Sequence, residues 1–327
     1  MKKRFDLRVL SVLGAAVLSF AACGDDEETF SQPPSLPELG VSRPVTAIRT
    51  NTSVHGGSEA LFQYDEEGRM TGGTDFRGDF KISFQPLGFE IVGSYYTDTW
   101  KNIRTNSRGN IVSATVEERD DYDEETYSYP LSASYDADGR LTRLTVSGRE
   151  EGVAYTYGWT LEYKDGNLVR MVEEDAEPGY KYTATCEYEY GTPGARPNSG
   201  VSFFTEEDII FIEQFQWYGG YWGLPSAEMP LRCERTISEV EDGEETYSSS
   251  QTTTYAVTYD SDNRVRTLSF SGGVNSGEQL TFTYGDEFVG SAEPAASAVR
   301  PVSAGVQSKA GKSLRERLRA RRVAWKR

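Results

Sequence analysis

A short unit recurs along this chain at intervals of tens of residues: a strand ending in an aromatic residue, a tight polar turn, and a second strand. Tyr64-Asp65-Glu66-Glu67-Gly68-Arg69-Met70 is matched by Tyr135-Asp136-Ala137-Asp138-Gly139-Arg140-Leu141. Tyr163-Lys164-Asp165-Gly166-Asn167-Leu168 is a shortened copy, and Tyr259-Asp260-Ser261-Asp262-Asn263-Arg264-Val265 puts Asn where Gly stood. Asn106-Ser107-Arg108-Gly109-Asn110-Ile111 is a fainter version. Repetition of this kind means one supersecondary element used many times. The turn chemistry is that of a hairpin. Asp65, Asp136, Asp165 and Asp260 can accept backbone N–H groups two residues on, and Gly68, Gly139, Gly166 and Asn263 supply the left-handed conformation that closes the loop.

The flanking residues alternate. Tyr182, Ala184, Cys186, Tyr188 and Tyr190 fall on one face, and Lys181, Thr183, Thr185, Glu187 and Glu189 on the other, the signature of a half-buried antiparallel strand. After three of the turns the apolar positions are Leu141, Leu144 and Val146; Val265, Leu268 and Phe270; and Ile111, Ala114 and Val116. Alternation breaks once at the same place in each, which predicts a one-residue β-bulge. Residues 45–285 are therefore expected to be mostly β, an antiparallel meander of hairpin repeats forming a large twisted sheet or open barrel. The 20 tyrosines suit cross-strand aromatic pairing, and carbohydrate stacking is the functional alternative for the same residues.

One segment departs from the repeat. Thr205 can cap a helix with Glu206, Glu207 and Asp208 in its first turn, predicting a short helix around 206–215. Trp217, Tyr218, Tyr221 and Trp222 then stand among three glycines before Leu224-Pro225. They form either a recognition loop for a glycan or protein ligand, or a buried plug over the end of the sheet.

The N-terminus reads as an export signal over residues 1–22: Lys2, Lys3, Arg4 and Arg8, an uncharged run from Val9 to Ala22, and small residues before Cys23. The junction resembles the lipobox of bacterial lipoproteins, with Phe20 where an aliphatic residue is usual. That resemblance makes Cys23 the acylated first residue of the mature chain. Residues 23–44 are an acidic, proline-bearing tether, and Gly24-Asp25-Asp26-Glu27-Glu28 is similar to the acidic signal that sends some lipoproteins to the outer face of the outer membrane. Residues 286–312 read as a linker. The basic tail, 313–327, is a solvated end, a membrane-surface or partner helix, or an element docked on the acidic body. Lipobox, acidic run, YD-type units and the Gly219–Pro225 segment together resemble a family of acylated surface lipoproteins of gut and oral Gram-negative bacteria, whose strand repeats are Rhs-like and whose domain has no known function. The resemblance implies a β-rich fold and an outer-membrane location facing the cell exterior.

Charge bounds the partners. Once the +8 from Lys309 onward and the +3 of the signal are set apart from the overall −17, the body carries −28. Such a surface repels nucleic acid. Cys186 and Cys233 remain as a candidate disulfide or two buried thiols. With one histidine, His55, triads and multi-histidine zinc sites have no ligands to draw on, and Asp136-Ala137-Asp138-Gly139 is too short for an EF-hand loop, so no catalytic residue, metal or cofactor is assigned. Two roles follow: a non-catalytic binding module, or an accessory component of an envelope assembly. Exposed aromatics favour the first, and buried aromatics with a free sheet edge or an ordered tail the second. Replacing Cys23 by Ser is expected to shift the protein from the detergent phase to the aqueous phase in Triton X-114 partition.

Overall fold

The computed structural model describes residues 43–51, 59–75, 78–93, 96–120, 126–150, 153–203, 214–273 and 276–285. Cys23, the tether up to residue 42, His55, the linker and the basic tail lie outside them. Five short strands come first: β1 Val45–Thr50, β2 Glu59–Tyr64, β3 Met70–Thr74, β4 Asp79–Phe84 and β5 Leu87–Val92. Longer ones follow: β6 Tyr96–Thr105, β7 Ile111–Asp120, β8 Thr126–Tyr135, β9 Leu141–Glu150, β10 Val153–Lys164, β11 Asn167–Glu177, β12 Tyr180–Glu189, β13 Arg232–Glu241 and β14 Glu244–Tyr259. β15 Val265–Ser271 and β16 Gln279–Tyr284 end the meander. Each strand pairs antiparallel with the next, and β1 pairs with β16 from Val45↔Tyr284 to Thr50↔Leu280. The sheet is thus a closed sixteen-stranded barrel, which corrects the expected open sheet or open barrel. Closure leaves no lateral edge on the short-strand side, where six-residue strands alone would be poorly protected.

The turns work as their residues demand. Asp65 Oδ1 accepts the Arg69 N–H at 2.8 Å, and Asp136 Oδ1 accepts that of Arg140 at 2.8 Å. Asp260 Oδ1 accepts from both Asp262 and Arg264 at 2.9 Å, and Asn106 does the same for Arg108 and Asn110. Gly68, Gly109, Gly139 and Asn263 hold φ of 78°, 78°, 91° and 62°. The shortened copy is a two-residue turn with positive φ at both Asp165 and Gly166. The bulge is present too: Ser134 faces Arg143 while Tyr135 faces Leu141, leaving Thr142 over. Arg266 and Val112 are the extra residues in the other two copies.

Four tyrosines at strand ends, Tyr64, Tyr135, Tyr190 and Tyr284, bind one hairpin to another. Each ring packs on the core, and each hydroxyl donates to a carbonyl at the start of the preceding strand. Tyr64 reaches Val45 at 2.9 Å, Tyr135 reaches Ile111 at 2.7 Å, Tyr190 reaches Leu168 at 2.9 Å and Tyr284 reaches Val265 at 2.9 Å. Burial pushes these phenols well above their usual range, Tyr284 up to about 12. The turn arginine works in the opposite direction. Arg69 lies over Phe84, Arg140 over Tyr163 and Arg264 over Tyr284, each aromatic closing the hairpin beyond.

This end of the barrel is closed by the segment between β12 and β13. It carries helix α1, Gln214–Tyr218, of which the expected helix around 206–215 shares only the last two residues; 204–213 lie outside the described residues. Phe215 stacks on Phe80 at 4.1 Å, Tyr221 meets Phe89 edge-on at 4.8 Å, and Trp222 meets Trp100 at 6.1 Å. The segment then hydrogen-bonds one turn after another. Ile111 N–H donates to Tyr221 O, Leu224 N–H to Gly139 O, Ala227 N–H to Gly166 O, and Val265 N–H to Ser199 Oγ. Gly223 makes the fit possible: its φ is +82°, and a Cβ there would sit 2.1 Å from Gly139 O. Gly223→Ala is expected to cost about 3 kcal/mol, lowering Tm by roughly 6–12 °C in a thermal melt followed by near-UV circular dichroism.

Candidate functional site

Away from the plugged end, five adjacent long strands place a row of inward side chains in direct register. Tyr157 on β10 faces Asp175 on β11, Asp175 faces Tyr182 on β12, Tyr182 faces Glu239 on β13, and Glu239 faces Tyr247 on β14. Aromatic and carboxylate alternate across the row, with side chains of neighbouring strands within contact reach. The next row towards the plug is Trp159, Glu173, Ala184, Ile237 and Ser249. The third ends in Cys186, Arg235 and Gln251. On β6–β8 a second inward row runs Asp98, Glu118, Tyr127.

Charge inside the barrel is unbalanced. Asp75, Asp98, Glu173, Asp175 and Glu239 are buried, and Arg235 is the buried cation among the described residues. Arg235 Nη2 donates to Glu173 Oε2 at 3.2 Å, while Glu173 Oε1 accepts the Tyr157 hydroxyl at 2.5 Å. Tyr157 in turn packs edge-on against Trp159 at 4.6 Å. Tyr182, Ala184 and Ile237, with the half-buried Tyr180 and Tyr247, form an apolar cluster separate from the main core. The arrangement sets aromatic rings beside carboxylates; Tyr157, Asp175, Tyr182 and Glu239 are themselves covered, and Tyr180 and Tyr247 are the partly exposed rings of the cluster.

The outer wall is of opposite character. Ser128, Ser132 and Ser134 of β8, Glu234 and Thr236 of β13, and Ser248, Ser250, Thr252 and Thr254 of β14 are exposed. Among the described residues the large exposed apolar side chains are Val92 and Leu231.

The residues singled out from sequence fall elsewhere. Tyr218, Tyr221 and Trp222 are buried and Trp217 is packed on the same core, so the recognition-loop alternative gives way to the plug. Trp222 Nε1 donates to Gln216 Oε1 at 3.1 Å within that core. Cys186 and Cys233 are buried free thiols, not a disulfide. Cys186 faces Arg235 and Cys233 faces Tyr188, a diagonal placement that sets their Cα atoms ~7–8 Å apart, beyond ordinary disulfide reach. The turn residues carry the hairpins' own hydrogen bonds and positive φ. Among the described residues no group of three or more His, Cys, Asp or Glu is placed to hold a metal ion. The tyrosine–carboxylate row was missed in the sequence, although a signal existed: Glu173 and Asp175 share the inward face with Met171. Arg235→Met should leave Glu173 buried beside no cation and cost ~3 kcal/mol in denaturant unfolding. Adding Glu173→Gln should recover part of that loss.

No protein-family model matches the chain, and no curated protein does. Solved structures do. A porin-like protein from Bacteroides uniformis superposes with a TM-score of 0.53 at 15% identity, over 78% of this chain and 100% of that one. A porin-like protein from Bacteroides vulgatus gives 0.53 at 11% identity, over 74% of this chain and 98% of the other. At these identities the likeness is one of fold: the chain shares an antiparallel β-barrel architecture with both.

Proposed function

We propose that this protein is a lipid-anchored, non-catalytic binding barrel on the outer face of the outer membrane, and that its ligand is a glycan segment taken on the inner wall of β10–β14. The observation that carries the reading is the register row Tyr157, Asp175, Tyr182, Glu239, Tyr247. Sugar rings have apolar faces that stack on tyrosine and hydroxyl edges that donate to carboxylates, so an alternating row meets both needs at once. Tyr180 and Tyr247 are half-buried and stand nearest solvent. The export signal and Cys23 supply the anchor, and the acidic run supplies the outward address. A hydroxyl-rich and charged outer wall suits a barrel standing in water. A barrel immersed in lipid turns an apolar band outward.

A second reading, an accessory component of an envelope assembly, draws on two observations: the aromatics of 217–222 are used in the core, and part of β14 has no strand partner on its β15 side among the described residues.

The acylated protein in neutral detergent, screened on a glycan array, is expected to retain a defined saccharide. Tyr180→Ala and Tyr247→Ala should each weaken that binding about tenfold, ~1.4 kcal/mol, with the thermal midpoint little changed. An array without hits, or equal binding by both variants, would end the glycan reading.

A further inference from the structure

Strand β14 is the longest of the sixteen, and its two neighbours do not cover it equally. β13 pairs with it from Glu244 to Thr254, whereas β15 pairs only from Thr254 to Tyr259. Between Glu245 and Ser250 the side towards β15 has no strand partner among the described residues. The backbone parity is known from both flanks. Tyr255 N–H donates to Leu231 O on the β13 side, which puts Thr253, Gln251 and Ser249 on that side as well. The even residues turn the other way: Thr252 O lies where a Cβ on Gly272 would meet it at 2.3 Å. Ser248 and Ser250 therefore direct an N–H and a C=O each away from β13, along the sheet towards the side where β15 does not reach.

Natural sheets blunt such edges with lysine or proline. Residues 236–259 contain no Lys, Arg or Pro. They carry exposed carboxylates at Glu241, Asp242, Glu244 and Glu245, with Glu234 exposed on the neighbouring strand. We propose that this edge is a docking site for an extended, cationic peptide segment of a partner protein, which adds to β14 as a further strand. Main-chain bonds to Ser248 and Ser250 supply the pairing, and alternate basic side chains of the incoming strand meet the acidic rim. A second copy of this chain is a poor occupant, because two bodies of −28 would bring like-charged edges together. The inference does not depend on the glycan reading, since the edge lies on the outside of the sheet seam and the tyrosine row inside it.

The test uses the full acylated protein in neutral detergent at physiological salt, with a fluorescein-labelled peptide of about ten residues alternating Lys and Thr as the probe. Fluorescence anisotropy should show saturable binding. The same peptide N-methylated at alternate amides, which keeps its charge and loses its strand donors, should bind about tenfold more weakly or not at all. Ser248→Pro should weaken the unmodified peptide to a similar degree, because it removes an outward N–H that the barrel does not use. The N-methyl comparison needs only the unaltered barrel, so it decides the matter even where that variant fails to fold. No saturable binding, or equal binding of the N-methylated peptide, overturns the proposal, the latter leaving charge attraction alone. A dimer in sedimentation that Ser248→Pro dissolves assigns the edge to a second copy. Binding seen only after deletion of residues 309–327 assigns it to the chain's own basic tail. Either result also overturns the proposal.

Discussion

The barrel depends on a hydrogen bond that skips a hairpin's own partner: at four strand ends a phenol donates to a carbonyl at the start of the preceding strand. Ladder bonds hold each strand to its neighbour but leave the sheet free to twist or splay at its ends. A buried phenol bonded across that end removes this freedom, and each such bond is worth only ~1 kcal/mol net. Its larger effect comes from repetition, at Tyr64, Tyr135, Tyr190 and Tyr284. The turn arginines lean the other way, onto the aromatic that ends the following hairpin. Each unit is thus tied to both sides, and a chain of such units closes naturally into a ring.

The ring of turns then becomes a surface in its own right. Backbone groups of Ile111, Gly139, Gly166 and Val265 face the middle of the ring, and the segment from Ser199 to Ala227 satisfies them in succession. A barrel of this strand number leaves an interior wider than its own side chains can fill, so the inserted segment supplies Phe215, Tyr221 and Trp222 to complete the core. Beyond the plug the filling changes to tyrosines and carboxylates on β10–β14. Burying Asp175 and Glu239 is costly in a wall that could have been apolar.

The turns, the strands and even the bulge were legible in the chain because each is encoded within a few residues. Asp136 and Gly139 carry the local hydrogen bond and the positive φ, and the break between Leu141 and Leu144 marks Thr142 as surplus. Closure was not legible. The pairing of Val45 with Tyr284 joins residues that no local pattern relates, and an alternating strand looks the same in an open sheet or a ring. The aromatic segment could be read either as plug or as recognition loop, since composition gives the rings and not what covers them. The tyrosine–carboxylate row was hidden for a related reason: Asp175 and Glu239 look like ordinary solvent-facing acids until register sets them between Tyr157, Tyr182 and Tyr247.

The plug's place in the chain bears on how the molecule is made. Phe80 and Phe89, on the fourth and fifth strands, pack against Phe215 and Tyr221, and the Phe215 N–H donates to Asp75 across 140 residues of sequence. A chain made from its N-terminus delivers the early hairpins long before the aromatics that bury them. The first strand also waits for the last. Contacts of such separation make assembly slow and leave apolar surface bare while it proceeds. Until the plug arrives, the early half of this barrel lacks the rings that bury Phe80 and Phe89, so its nascent strands must be shielded by another protein or pressed against one another in a temporary arrangement that the plug displaces.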